Sequence, residues 1–253
     1  MISERTFARS FASFWSELLP LLTPNYVHIV NYGFRDQLVN NHGIPIDPVK
    51  KNPAVRDPSV VAEFAFFIAQ LSVSEGVGIY DIRTNDNYIE KAQKYAYEIV
   101  KRYEGGELNI ILPLVQEEIE EGLAIAMNYE RFFEIKCRNK KIEFGPIISG
   151  AGFISECKAD ISVGNTLFEV KTINRNLASK DIRQLIIYLA LQGITGNRKW
   201  DHAGFFNPRR AFYYEFQVDE VIRQISGGKA PLEVFQEIYD FITIRDIQID
   251  SVF

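Results

Sequence analysis

The segment KADISVGNTLFEVKT, residues 158–172, brings two carboxylates and an ammonium together in a stretch patterned as a two-stranded ribbon. Gly164 and Asn165 suit the centre of a two-residue turn, because both tolerate the positive φ such loops demand. Counting outward pairs Val163 with Thr166, Ser162 with Leu167, Ile161 with Phe168 and Asp160 with Glu169, the last two with Cβ atoms roughly 5 Å apart. Lys171, two residues beyond Glu169, shares their face. Ala159, Ile161, Val163, Phe168 and Val170 make the opposite face apolar, so a one-residue slip would bury the charges and the register is expected to hold.

Two carboxylates at that spacing repel by about 3 kcal/mol at an effective dielectric of about 20, a large share of a domain's net stability. A hard divalent cation, Mg²⁺ or Mn²⁺, offsets that repulsion by taking carboxylate oxygens while keeping several waters. The Lys171 ammonium beside such an ion can orient a water for attack or stabilise charge developing on a phosphate. Glu-x-Lys alone carries no weight, since the chain repeats it at Glu134–Lys136 and Glu156–Lys158. The third copy differs in having an opposed Asp, a turn of the right length and apolar alternation on both strands.

The order Asp, hairpin, Glu-x-Lys resembles the PD-(D/E)XK nuclease superfamily, with Ala159 where the family name has proline. The resemblance implies a restriction-endonuclease-like α/β fold, an α-β-β-β-α-β core with a mixed sheet flanked by helices. It implies Asp160 and Glu169 as metal ligands, the Val170 carbonyl as a further ligand and Lys171 as the catalytic lysine. Downstream, ASKDIRQLIIYLAL reads as a helix over 179–192 with Ser179 as N-cap and Gly193 as a stop, placing Gln184 and Tyr188 four apart on one face. That pair is similar to the Gln-x-x-x-Tyr motif of RecB-type members, which the resemblance sets beside the metal and the nucleic-acid backbone.

Members of the superfamily often add an acid from a preceding helix, and helical geometry selects a candidate. Within residues 113–134, Val115, Ile119, Leu123, Ala126 and Phe133 form one apolar stripe, and Glu130 falls at its centre. A carboxylate on a buried stripe is costly unless paired or bound to metal. Glu130 is therefore expected as the extra ligand, with Glu134 as its substitute; a snorkelling Glu or one paired with an Arg is the competing reading.

The formal net charge of -5 argues against nucleic-acid binding, but the average hides an asymmetry. Residues 135–210 carry +7 and the remainder -12, so phosphate would be drawn to the region of the hairpin. Arg175, Lys180, Arg183, Arg209 and Arg210 are the expected nucleic-acid contacts, the last two at the tip of a hairpin around Asn207-Pro208. Two cysteines, Cys137 and Cys157, are too few for a disulfide framework or a metal-cluster motif. The longest apolar runs are too short to span a bilayer and MISERTFARSF has no leader character, so a cytoplasmic location is expected.

Residues 1–105 read as a mostly helical N-terminal region: a helix over 3–19, a loop from Asn41 to Asp57, a helix from Pro58 to Leu71 capped by Asp57, and a helix over 86–103 stopping at Gly105-Gly106. Residues 106–253 read as the nuclease-like domain, with a helix over 113–134, strands near 141–148, 152–163 and 166–173, the 179–192 helix, strands near 202–207 and 211–217, and closing helices near 218–225 and 231–243. The leading expectation is a metal-dependent nuclease acting on DNA ahead of RNA, as the nuclease subunit of a restriction, phage-defence or repair system. Cutting both strands calls for a homodimer or a protein partner. The alternative is a catalytically silent nuclease-like module that binds nucleic acid or a protein.

Overall fold

The computed structural model describes residues 1–103, 113–194 and 199–244. Its centre is a mixed six-stranded sheet of β1 (Arg35–Gln37), β8 (Phe212–Gln217), β7 (His202–Asn207), β6 (Thr166–Val170), β5 (Ile161–Val163) and β2 (Ile142–Phe144), in that spatial order. Only β6 and β7 run parallel; the other neighbours are antiparallel. A parallel pair needs a crossover, and α8 (Ser179–Ile194) supplies it. A second, two-stranded sheet joins β3 (Ile147–Ile148) to β4 (Cys157–Lys158). The molecule is α/β, with helices on both faces of the main sheet.

The pleat sends alternate residues into two separate cores. Leu167, Ala203, Phe205, Phe212 and Tyr214 join Leu185, Ile186 and Leu189 of α8, together with Phe7 and Trp15 from α1 (Glu4–Arg9) and α2 (Ala12–Leu18). Ile161, Val163, Phe168 and Phe206 pack beneath α4 (Pro58–Glu75), α6 (Asp86–Tyr103) and α7 (Gln116–Lys136). There the rings of Phe132 and Phe206 stack at 4.1 Å, with Phe168 edge-on at 5.0 Å. Gly204 permits this: a Cβ would meet the Tyr214 carbonyl at 2.0 Å and the Phe168 ring at 2.8 Å.

Several expectations shift in detail. The helix expected over 3–19 breaks in two at Phe11, whose φ of 56° is left-handed; Phe11 packs edge-on against Phe7 and Phe241, contacts that offset a backbone cost of about 1–2 kcal/mol. The strand expected over 152–163 is interrupted at Asp160, where the chain bends between β4 and β5. Gly193 lies inside α8. α3 (Pro24–Gly33), β1 and α5 (Ile79–Arg83) carried no expectation, and β1 matters most: although it lies in the N-terminal region, it forms the sheet edge against β8. Residues 1–103 contribute to both cores, so the two regions separated in sequence near 105 share their packing. The stop at Gly105-Gly106 lies outside the described residues. Among the described residues no helix is long and apolar enough to cross a membrane.

Candidate metal and phosphate site

The hairpin holds the expected register, Val163 opposite Thr166, Ser162 opposite Leu167 and Ile161 opposite Phe168. Gly164 takes φ of 59°, and Asn165 has no positive φ. Asp160 is the next residue by count but leaves the ladder at the bend, and its Oδ2 accepts the Val170 amide at 2.6 Å. That bond fixes the carboxylate against the strand carrying Glu169 and Lys171. Both faces of the hairpin are covered, unlike the one-sided ribbon expected: Ser162, Leu167 and Glu169 are as buried as Ile161 and Phe168. Ala159, expected with Ile161, joins the core on the α8 side because the bend breaks the alternation.

Glu169 is 1% exposed. Its Oε1 accepts from Lys171 Nζ at 2.8 Å, while its Oε2 is buried with no hydrogen-bond partner among the described residues. Lys171 Nζ also donates to Gln184 Oε1 at 2.9 Å and stands 3.9 Å from Asp181 Oδ1. Burial pushes the Asp160 carboxyl well above its ordinary range, and the Glu169 charge pushes the same way; Lys171, the Val170 amide and Arg5 oppose them.

The α8 face contributes what its spacing implied. Gln184 Nε2 donates to the Tyr188 hydroxyl at 2.9 Å, and Tyr188 donates to Glu4 Oε1 at 3.1 Å. Gln184 Nε2 also reaches Glu4 Oε1 at 3.3 Å. Burial and the nearby Glu169, Glu4 and Asp160 carboxylates push the Tyr188 hydroxyl far above its ordinary value, so Tyr188 acts as a donor and not as a base. Glu4, through Gln184, therefore orients Lys171.

Asp160, Val170, Lys171 and Gln184 line a cleft of about 430 Å³ between α1 and α4. Its charged lining is Arg5, Arg9, Lys171, Arg175 and Lys180 against Glu63, Asp160 and Asp181, a positive balance. Arg175 grips Asp181 through two bonds of 2.6 and 2.9 Å. Burial alone would raise the Asp181 carboxyl, but Arg175, the Ala178 amide and the Lys171 charge hold it below its ordinary value. Arg5 and Glu63 were not singled out from sequence. Burial raises the Glu63 carboxyl against the pull of Arg5 and Lys158, and Arg5 feels both Glu169 and Asp160.

Seven expected residues do not line this cleft: the buried Glu169 and Tyr188, which bond to its lining residues Lys171 and Gln184, and Glu130, Glu134, Arg183, Arg209 and Arg210. Glu130 Oε1 accepts the Ile79 amide at 3.2 Å, satisfying the start of α5; Glu134 pairs with Arg131 at 2.6 Å. Both take the roles that compete with metal binding, and the acid that an earlier helix does bring to the cleft is Glu63. Arg209 is 2% exposed and bound to Glu121 at 2.7 Å, because the turn after β7 folds inward onto α7 instead of projecting. Arg183 lies over the Trp15 ring, 5.7 Å from its centre. Arg175 and Lys180 line the cleft, and Arg210 lies beside Arg175, donating to its carbonyl at 3.4 Å.

The donor set fits a hard divalent ion. Asp160 and Glu169 offer carboxylate oxygens, one of them buried and unpartnered, and Val170 lies beside them. Among the described residues no group of three His, Cys, Asp or Glu side chains is gathered to hold a metal, so such an ion would keep waters, as Mg²⁺ does. No protein-family model matches the chain, and no curated protein matches it.

Proposed function

We propose that the protein is a divalent-metal-dependent nuclease that hydrolyses DNA phosphodiester bonds, with a restriction-endonuclease-like core. The order α7, β2, β5, β6, α8, β7 supports the core assignment, with its parallel β6–β7 pair and the α8 crossover. The observation that carries the reading is the buried Oε2 of Glu169, without a hydrogen-bond partner among the described residues, on the strand whose Val170 and Lys171 line, with Asp160, a cleft of net positive charge. A buried carboxylate oxygen without a partner costs on the order of 1–3 kcal/mol or more, and a cation ligand removes that cost.

Asp160, Glu169 and the Val170 carbonyl would hold Mg²⁺ or Mn²⁺, which supplies charge neutralisation at the scissile phosphate and a more acidic water. Lys171, held by Glu169 and Gln184 and lining the cleft, would orient the attacking water or stabilise charge on the phosphate. Arg5, Arg9, Arg175 and Lys180 attract and place the strand. The test is cleavage of linear, circular and single-stranded DNA with Mg²⁺, Mn²⁺ or EDTA, beside Lys171→Ala. Metal-dependent cleavage that drops by about 10²–10⁴-fold in Lys171→Ala is expected; cleavage unchanged in that variant refutes the mechanism, and binding without cleavage makes this a silent module.

A further inference from the structure

Outside the cleft, two arginines from opposite ends of the chain converge on one ring. The Arg210 guanidinium carbon lies 4.7 Å from the centre of Phe212, and that of Arg35, from the edge strand β1, lies 5.1 Å from it. Among the described residues neither reaches a carboxylate: the hydrogen bonds of Arg210 go to neutral oxygens, Asn176 Oδ1 at 2.9 Å and the Arg175 carbonyl at 3.4 Å. Like charges gathered around one ring repel, and cation–π contact works against that repulsion. The same Asn176 donates to the hydroxyl of Tyr32 at 2.9 Å. Tyr32 is 59% exposed, with its ring against His28 at 4.6 Å.

These groups are continuous with the cleft, because Arg175 lines the cleft and its carbonyl accepts from Arg210. We propose that Arg210, Arg35 and Tyr32 form a second nucleic-acid contact, a track along the β1 edge that receives the phosphate backbone of a single strand leaving the cleft past Arg175. The two guanidinium groups take phosphates, and the exposed Tyr32 ring offers a face on which an unpaired base can stack. This rests on the nuclease reading for what fills the cleft, but its binding readout does not depend on cleavage.

The test is fluorescence anisotropy of labelled single-stranded DNA in EDTA, with a four-nucleotide and a twenty-nucleotide oligomer, across a salt series. The wild type is expected to bind the longer strand more tightly, and Arg35→Gln/Arg210→Gln to lose about 10-fold or more on the longer strand alone. The slope of log K against log salt should fall by about 1.4, the value for two single-strand phosphate contacts. Arg35→Lys/Arg210→Lys should restore most of the slope, which packing on Phe212 alone would not do, and thermal melts confirm that each variant is folded. An unchanged slope, or equal losses on both oligomers, overturns the track. A protein that shows the expected slope change yet never cleaves DNA with metal refutes the nuclease reading and leaves the track standing.

Discussion

At the residue scale, the chemistry depends on which charges are left without a counterpart. Lys171 has partners in Glu169 and Gln184, and Asp181 has Arg175, but among the described residues Glu169 Oε2 has no hydrogen-bond partner and Asp160 accepts a backbone amide. Binding of Mn²⁺ or Mg²⁺ at 100 times its dissociation constant should therefore stabilise the fold by about 2.7 kcal/mol, or roughly 5–10 °C in Tm for a chain of this size. Thermal melts with and without metal measure it, and Asp160→Ala should abolish the shift; a shift that survives would place the ion elsewhere. Gln184 contributes differently, by holding the Lys171 ammonium at 2.9 Å. Gln184→Ala should lower kcat by about 10–100-fold with little change in metal affinity, as loss of an orienting bond does. Steady-state cleavage beside metal titration distinguishes this from a general loss of the site. The strand carrying Glu169 and Lys171 was legible because a two-residue turn fixes a register by counting, though Asp160 leaves that ladder, and the Gln184–Tyr188 pair because four residues make one helical turn. Glu4 stands 180 residues from Gln184, and in sequence it reads only as an acid in a first helical turn. Arg5 and Glu63 likewise enter the cleft through packing of elements that no local pattern relates.

At the element scale, the same limit explains Glu130. A stripe calculation gives the direction a side chain leaves its own helix, but not which element lies there, and what lies there is the start of α5. Another acid on α7, Glu118, has a structural role. It accepts the Arg56 amide at 2.9 Å and the Val115 amide at 3.1 Å, and it pairs with the Arg56 guanidinium at 2.5 Å. It thereby ties the loop before α4 to the start of α7, the pair of helices over the second core. Burial would raise this carboxyl, but Arg56 and the amides hold it below its ordinary 4.5. A carboxyl with a lowered folded value adds stability above its unfolded value, and that stability is lost as pH falls through the folded one. Glu118→Ala should cost about 2–4 kcal/mol at neutral pH, and the deficit should shrink below about pH 4 as the wild type loses the same interactions. Urea titrations at pH 7 and at about pH 3, well below the ordinary carboxylate range, compare the two. A constant deficit would assign the loss to packing. The helices over 58–71 and 86–103 were readable because Asp57-Pro58 caps the first and polar residues alternate with apolar ones in the second. The bend at Asp160 was not, since a tertiary bond to Val170 decides it.

At the scale of the whole molecule, part of the asymmetric charge seen in sequence is neutralised in the fold. Lys136 pairs with Glu215 and Arg209 with Glu121, acids that lie outside residues 135–210, while Lys199–Glu143 and Arg175–Asp181 close within that window and are already in its balance. A window of +7 thus overstates what a phosphate meets by the first two pairs, because a linear count cannot see ion pairs that close across the chain. The expected division near residue 105 raises the same issue in packing. α1 and α2 lie on α8, β1 extends the sheet beyond β8, and α4 and α6 complete the core beneath β5 and β6. Removing either region would expose a face of the sheet in the other, so neither is expected to keep its structure while the other melts. Trp15 in α2 and Trp200 before β7, the two tryptophans of the chain, sit in the core on the α8 side, whereas the two longest N-terminal helices, α4 and α6, belong to the opposite core. Equilibrium urea unfolding should therefore give coincident transitions by tryptophan fluorescence and by far-ultraviolet circular dichroism, with one midpoint and one slope. If dichroism lost part of its amplitude at lower urea than fluorescence, the helical layer of α4 and α6 would be a separable unit; the cleft, which takes Glu63 from that layer and Arg5 from α1, would then open before the sheet unfolds.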